Sequence, residues 1–191
     1  MTEPSMTRLF LMSDTYEVEV KIAISSYEEM EDRILKLGAE KINKETQIDS
    51  YFDHPCRTFQ ETDEALRVRY RQPVGTVELT YKGPRIDSTT KTRLESTVNL
   101  DNENEIVLIL KGLGFKEVVK ITKTRQFFSL SKTTISIDEV EDVGLFLEIE
   151  QIASGKDVET TKNEIFAMLD ELGLDASQTI RESYLELYLN Q

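Results

Sequence analysis

The sequence predicts an α+β fold in which eight antiparallel strands close into a β-barrel with helices packed outside it. Three observations carry this: eight runs alternate apolar and polar side chains, four segments carry helical spacing, and turn signals separate them.

Strands are expected near 15–24, 45–53, 65–71, 76–82, 90–98, 117–130, 132–140 and 145–151. Helices are expected near 26–37 (Met30, Ile34, Leu37), 102–112 (Ile106, Ile109, Leu110) and 161–172 (Ile165, Met168, Leu169, Leu172). Each stops at a Leu-Gly or Gly-Leu-Gly, where glycine suits the left-handed residue after a helix. A last amphipathic segment, 180–189, carries Tyr184, Leu185, Tyr188 and Leu189. Tight turns are signalled at 72–75 (QPVG) and 131–133 (SKT).

Laying residues 17–52 over 93–128 without a gap gives seven identities in 36 positions, among them Glu19 with Glu95, Gly38 with Gly114 and Phe52 with Phe128. This reads as a weak duplication of a strand–helix–strand unit. It predicts that the strands beginning at Glu17 and Arg93 take related places in one sheet.

A chain of 191 residues suits one domain, expected here over 14–191, with 1–13 as a poorly ordered lead-in. The excess of 36 Asp and Glu over 23 Lys and Arg repels nucleic-acid backbones, so neither DNA nor RNA is expected as a partner. The longest N-terminal apolar run, Leu9 to Met12, is too short for a signal peptide or a membrane span. One cysteine, Cys56, forms no internal disulfide, and a reducing cytoplasm fits best.

Alternation places Glu17, Glu19 and Lys21 on one face of the first strand and Val18, Val20 and Ile22 on the other. The same split groups Arg67, Arg69 and Arg71; Glu78, Thr80 and Lys82; Arg93, Glu95 and Thr97; Lys123 and Arg125; Ser136 and Asp138; and Glu148 and Glu150. A half-buried sheet with its polar side in water would alternate in this way too. The collected face, however, holds eight bases and seven acids, while the rest of the chain carries 15 bases and 29 acids. A merely solvated face would follow the acidic average.

Eight strands closed into a barrel turn that face into a lumen. Buried ions are costly unless paired or bound to ligands, and a polyanion on the bases with a divalent cation on the acids would balance them. Arginine's planar fork grips phosphate oxygens in bidentate fashion, and carboxylates are hard ligands for Mg²⁺ or Mn²⁺.

These residues resemble a known family. Residues 17–21 (EVEVK) match the ExExK signature of the CYTH, or triphosphate tunnel metalloenzyme, superfamily. Agreeing in order are 47–52 (QIDSYF), 66–69 (LRVR), 80–84 (TYKGP), 93–95 (RLE), 123–125 (KTR), 138–150 (DEVEDVGLFLEIE) and 181–187 (RESYLEL). The resemblance covers roughly 14–189 and implies an eight-stranded tunnel with a C-terminal helix at one mouth. It implies that Lys21, Arg67, Arg69, Lys82, Arg93, Lys123, Arg125 and Arg181 bind substrate phosphates. It gives Glu17, Glu19, Asp138, Glu148 and Glu150 as metal ligands for Mg²⁺ or Mn²⁺, with Glu17 and Lys21 in catalytic roles. Thr97 departs from the family's central RxExE strand, which bears on a second metal site.

The expected activity is metal-dependent hydrolysis of tripolyphosphate or an organic triphosphate such as ATP or thiamine triphosphate, by a monomer or homodimer. The alternatives are a class IV-type adenylyl cyclase, which the 47–52 segment and the SYLEL ending resemble, and a non-catalytic polyphosphate- or nucleotide-binding module. Other chemistries are set aside. His54 and Cys56 cannot complete a zinc site and are not expected to act as a nucleophile pair. No phosphate-loop motif occurs.

Overall fold

The structure, a computed structural model, describes residues 15–85 and 93–191. The lead-in expected over 1–13 lies outside the described residues.

Eight strands are present among the described residues: β1 (Thr15–Ala23), β2 (Glu40–Asp53), β3 (Ala65–Gln72), β4 (Thr76–Arg85), β5 (Arg93–Leu100), β6 (Lys116–Leu130), β7 (Thr133–Val140) and β8 (Gly144–Ser154). Among the described residues four α-helices accompany them: α1 (Tyr27–Lys36), α2 (Glu103–Gly112), α3 (Val158–Glu171) and α4 (Tyr184–Leu189). All ladders are antiparallel, and the strands form one sheet in the order β1-β8-β7-β6-β2-β3-β4-β5. The α+β class and the eight antiparallel strands are as the sequence predicts.

Closure is partial. Among the described residues no ladder joins β1 to β5, so the sheet is a curled half-barrel with a seam between its edges. The curl is nonetheless tight enough that Glu17 on β1 feels the charges of Glu95 on β5 and Lys82 on β4.

The strand order reads as two matching halves about the central β2–β6 pair, with β1 and β5 at opposite edges. The relation expected between the strands beginning at Glu17 and Arg93 is therefore present. It extends to the helices: Ser26 caps α1 by accepting from the Glu29 N–H at 3.2 Å, and Asn102 caps α2 by accepting from the Glu105 N–H at 3.3 Å. Gly38, Gly114 and Gly173 follow α1, α2 and α3 with φ of 90°, 92° and 72°, the left-handed conformation expected of the helix stops.

Apolar side chains gather on the outer face. Ile22, Phe128, Ile135, Ile137, Leu147 and Ile149 pack under Met30 and Ile34 of α1 and Ile165 and Leu169 of α3. Phe52, Leu66, Val68 and Val77 pack under Leu110 of α2. On the inner face a smaller cluster of Ile121, Val140 and Phe146 receives Ile180, Leu185, Leu187 and Tyr188 from α4 and its approach. No helix among the described residues is long and apolar enough to cross a membrane.

Candidate active site

The inner face is charged, as strand alternation requires. The ladder register aligns its residues across strands: Lys21 lies opposite Glu148, Glu19 opposite Glu150, Arg125 opposite Asp138, Asp49 opposite Arg69 and Lys82 opposite Glu95. Thr80 and Thr97 also face each other, their hydroxyl oxygens 3.0 Å apart.

Strand β2 contributes residues missing from the sequence-derived face: Glu45, Gln47, Asp49 and Tyr51. Adding Glu45 and Asp49 to the seven acids corrects the charge balance, turning the slight basic excess into a slight acidic one. Their signal was present as alternation through 45–51, but Thr46 and Ser50 make the opposite face polar too and blur it.

The cations are held by these acids. Arg69 donates to both Asp49 oxygens at 2.6 and 2.7 Å. Arg67 lies 3.8 Å from Asp49, and among the described residues its buried Nε meets no hydrogen-bond acceptor. Arg71 bridges Glu45 and Glu78. Arg125 grips Asp138, with Nε donating at 2.6 Å, and also donates to Glu148. Lys123 is 3.4 Å from Asp138, Lys21 is 3.8 Å from Glu148, and Lys82 is 2.7 Å from Glu95.

Electrostatics follow from this packing. Burial would raise Asp49 and Asp138, but the guanidinium of Arg69 overrides it in the first, and Lys123 and Arg125 override it in the second. Each is held down to about 2. Burial, helped by the Arg125 charge, pulls Lys123 down to about 7.

Glu17, Glu19 and Glu150 form a separate acidic group. Burial together with the charges of Glu17 and Glu19 pushes Glu150 up to about 7. Glu17, open to solvent on one side, is raised by partial burial and by Glu19, and it shares a hydrogen bond with Glu150. Three hard oxygen donors that repel one another and retain a proton fit a hard divalent cation. Among the described residues, however, no three His, Cys, Asp or Glu side chains stand close enough together to hold a metal ion as placed. The candidate metal set thus divides: Glu17, Glu19 and Glu150 stand together, while Asp138 and Glu148 are held by lysine and arginine.

Of the candidate phosphate-binding residues, Lys21, Arg67, Arg69, Lys123 and Arg125 line the inner wall, and Lys82 faces the seam. Arg93 opens β5, but its side chain lies outside the described part. Arg181 is exposed on the segment before α4, and among the described contacts no hydrogen bond or ion pair ties it to the wall. Tyr184 reaches the wall and donates its hydroxyl to Asp138 at 2.8 Å. Away from the wall, His54 Nδ1 accepts the backbone N–H of Cys56 at 3.1 Å, a turn contact.

A curled antiparallel sheet with a walled array of ions inside, three helices outside and a fourth docked on the inner face defines a class of protein. Comparison with known proteins gives its family. The CYTH domain model matches residues 15–184. A Methanocaldococcus jannaschii protein named as a candidate adenylate cyclase is 41% identical over 172 residues, spanning 90% of this chain and 97% of the relative. The chain belongs to the CYTH family. The solved PH1819 protein of Pyrococcus horikoshii superposes with a TM-score of 0.80 at 39% identity, covering 92% of this chain and 99% of that one. The fold is shared with HpAC1 of Hippeastrum, a candidate adenylyl cyclase described as having a dominant triphosphatase activity. Its TM-score is 0.69 at 17% identity, covering 92% of this chain and 96% of that one.

Proposed function

We propose that this chain is a metal-dependent hydrolase of tripolyphosphate or an organic triphosphate. The observation that carries the reading is the division of the inner wall into two parts. One is a basic stretch of Lys21, Arg67, Arg69, Lys123 and Arg125; the other is the acidic group of Glu17, Glu19 and Glu150. A triphosphate needs the first for its oxygens and a cation on the second for its remaining charge. Membership in the CYTH family and the activity described for the Hippeastrum protein support it.

In this reading Arg67 binds phosphate oxygens through its guanidinium N–H donors and Arg69 through those that Asp49 leaves free, while Lys21 and Lys123 act as point charges. Mg²⁺ or Mn²⁺ on the acidic group supplies Lewis-acid stabilisation of charge on the phosphates. The carboxylate of Glu17 accepts the proton of the attacking water, and Lys21 steadies the leaving phosphate oxygen. The exposed free thiol of Cys56 is consistent with our placement of the protein in a reducing cytoplasm.

A second reading, adenylyl cyclase, is favoured by the name of the Methanocaldococcus jannaschii relative. It uses the same wall but attacks the α-phosphorus with the ribose 3′-hydroxyl. The test supplies tripolyphosphate, ATP and thiamine triphosphate with Mg²⁺ or Mn²⁺ and resolves the products. Orthophosphate from tripolyphosphate without cyclic AMP supports hydrolysis; cyclic AMP with pyrophosphate from ATP replaces it with the cyclase. Binding without either product reduces the protein to a polyphosphate-binding module.

A further inference from the structure

Helix α4 sends one aromatic side chain into the charged wall, and its position is fixed from both sides. The N–H of Ile180 donates to the Lys21 carbonyl at 2.7 Å, pinning the approach to α4 against β1. Ser183 caps the helix: its hydroxyl accepts the Glu186 N–H at 3.1 Å, and the Glu186 carboxylate accepts the Ser183 N–H at 2.7 Å. Tyr184 begins the helix immediately after this cap.

The Tyr184 hydroxyl donates to Asp138, and the ring packs 5.2 Å from that of Phe146. The Lys21 ammonium lies 4.2 Å from the ring centroid and the Lys123 ammonium 4.8 Å. These lysines come from β1 and β6, which are separated in the sheet by β8 and β7. One ring therefore spans the wall and holds two cations that no ladder brings together.

Docking of α4 does not require this arrangement. Ile180, Leu185, Leu187 and Tyr188 already cover Ile121, Val140 and Phe146, and an aliphatic side chain at 184 would fill the same apolar space. An aromatic face adds an attractive surface for ammonium groups that a leucine lacks. Without it, no ring face restrains Lys21 and Lys123 from closing further on Glu148 and Asp138, which they already approach to 3.8 and 3.4 Å.

We infer that Tyr184 is a positioning residue for phosphate binding: its ring fixes the spacing of the Lys21 and Lys123 ammonium groups so that together they receive neighbouring phosphates of one polyphosphate chain. The inference rests on the triphosphate-binding reading of the same wall. The hydroxyl orients the ring through Asp138, and the ring face acts on the lysines.

The experiment compares the parent with Tyr184→Phe, Tyr184→Leu and Tyr184→Met. It measures tripolyphosphate binding by calorimetry without divalent cation, then KM and kcat for the hydrolysed substrate. Loss of two cation–ring contacts weakens binding about tenfold in the Leu and Met variants. KM rises to match while kcat changes less than about threefold, and Phe restores most of the affinity. Melting curves report whether α4 stays docked, and the Met variant, with its adaptable side chain, stands in should the Leu variant fail to fold. Binding by Leu and Met within about twofold of the parent overturns the inference, as does a Phe variant as weak as Leu. A parent that binds no tripolyphosphate overturns the functional reading itself, and this inference with it.

Discussion

Asp49 on β2 and Arg125 on β6 occupy equivalent places in the two halves of the sheet, and each anchors a paired ion contact to the next strand with the charges exchanged. Asp49 accepts from Arg69 on β3, and Arg125 donates to Asp138 on β7. The alignment of 17–52 with 93–128 places Asp49 over Arg125, so the exchange is already written in the duplicated unit. These two contacts neutralise four ions and brace the middle of the wall. Lys21, Arg67 and Lys123 are held at longer range, 3.8, 3.8 and 3.4 Å from their carboxylates, which suits them to yield to a polyanion.

Breaking the first of these contacts should cost stability. Asp49→Asn leaves Arg69 buried beside a neutral amide, and removing one partner of a buried pair costs about 3 kcal/mol. Asp49 is held at about 2 against an ordinary 3.8. Its contribution is therefore complete above the unfolded value and is lost as pH falls through 3.8 toward 2, about 2 kcal/mol in all. Urea unfolding at pH 7 and at pH 3 should show a large gap between parent and variant in the first and a smaller one in the second. A gap that stays constant would refute the assignment.

The acidic group carries the opposite sign. Glu150 titrates at about 7 in the folded protein against 4.5 ordinarily, so the native state holds an extra proton between those values. Stability from this proton is complete below 4.5 and is lost as pH rises through 7. Mg²⁺ or Mn²⁺ added at pH 6 should expel the proton, making the calorimetric heat depend on the buffer's ionisation enthalpy. Glu150→Gln should abolish that dependence. Equal heats in phosphate-free buffers of different ionisation enthalpy would show that no proton leaves.

Glu148 lies between Lys21 and Arg125, so its charge restrains two candidate phosphate-binding cations. Glu148→Gln lifts that restraint from both, and tripolyphosphate should bind more tightly than to the parent. Turnover should fall by about a hundredfold or more as the wall loses an acid beside the cation. Filter binding and orthophosphate release separate the two effects. Parallel loss of binding and turnover would make Glu148 a structural support for the wall.

Much of this was legible from local rules. The helices end where Leu37-Gly38, Leu113-Gly114 and Leu172-Gly173 require, because a left-handed residue is a local demand. Strand alternation placed Lys21, Arg69, Lys123 and Asp138 on one face for the same reason. The seam between β1 and β5 was not legible, since closing a barrel depends on accumulated twist and stagger rather than on any residue pair. The partition of the acids was hidden as well. Asp138 and Glu148 resemble Glu150 in sequence, and the positions of Lys21, Lys123 and Arg125 set them apart. Tyr184 entered the wall through the docking of α4, a tertiary fact that helical spacing over 180–189 does not contain.

The outer core should govern stability without touching the chemistry. Leu169 of α3 is fully buried with Ile149 and Leu147 of β8, the strand whose opposite face presents Glu148 and Glu150. Truncation in Leu169→Ala removes packed methyl groups and leaves a cavity, at a cost of about 3 kcal/mol. In a chain of this size that lowers Tm by roughly 6–12 °C. Because α3 braces β8 from the outer face, KM for the hydrolysed triphosphate should hold steady well below the new Tm. A rise in KM with little change in Tm would mean instead that the outer packing tunes the register of β8, carrying Glu148 and Glu150 out of line with Lys21 and Glu19 across the ladder.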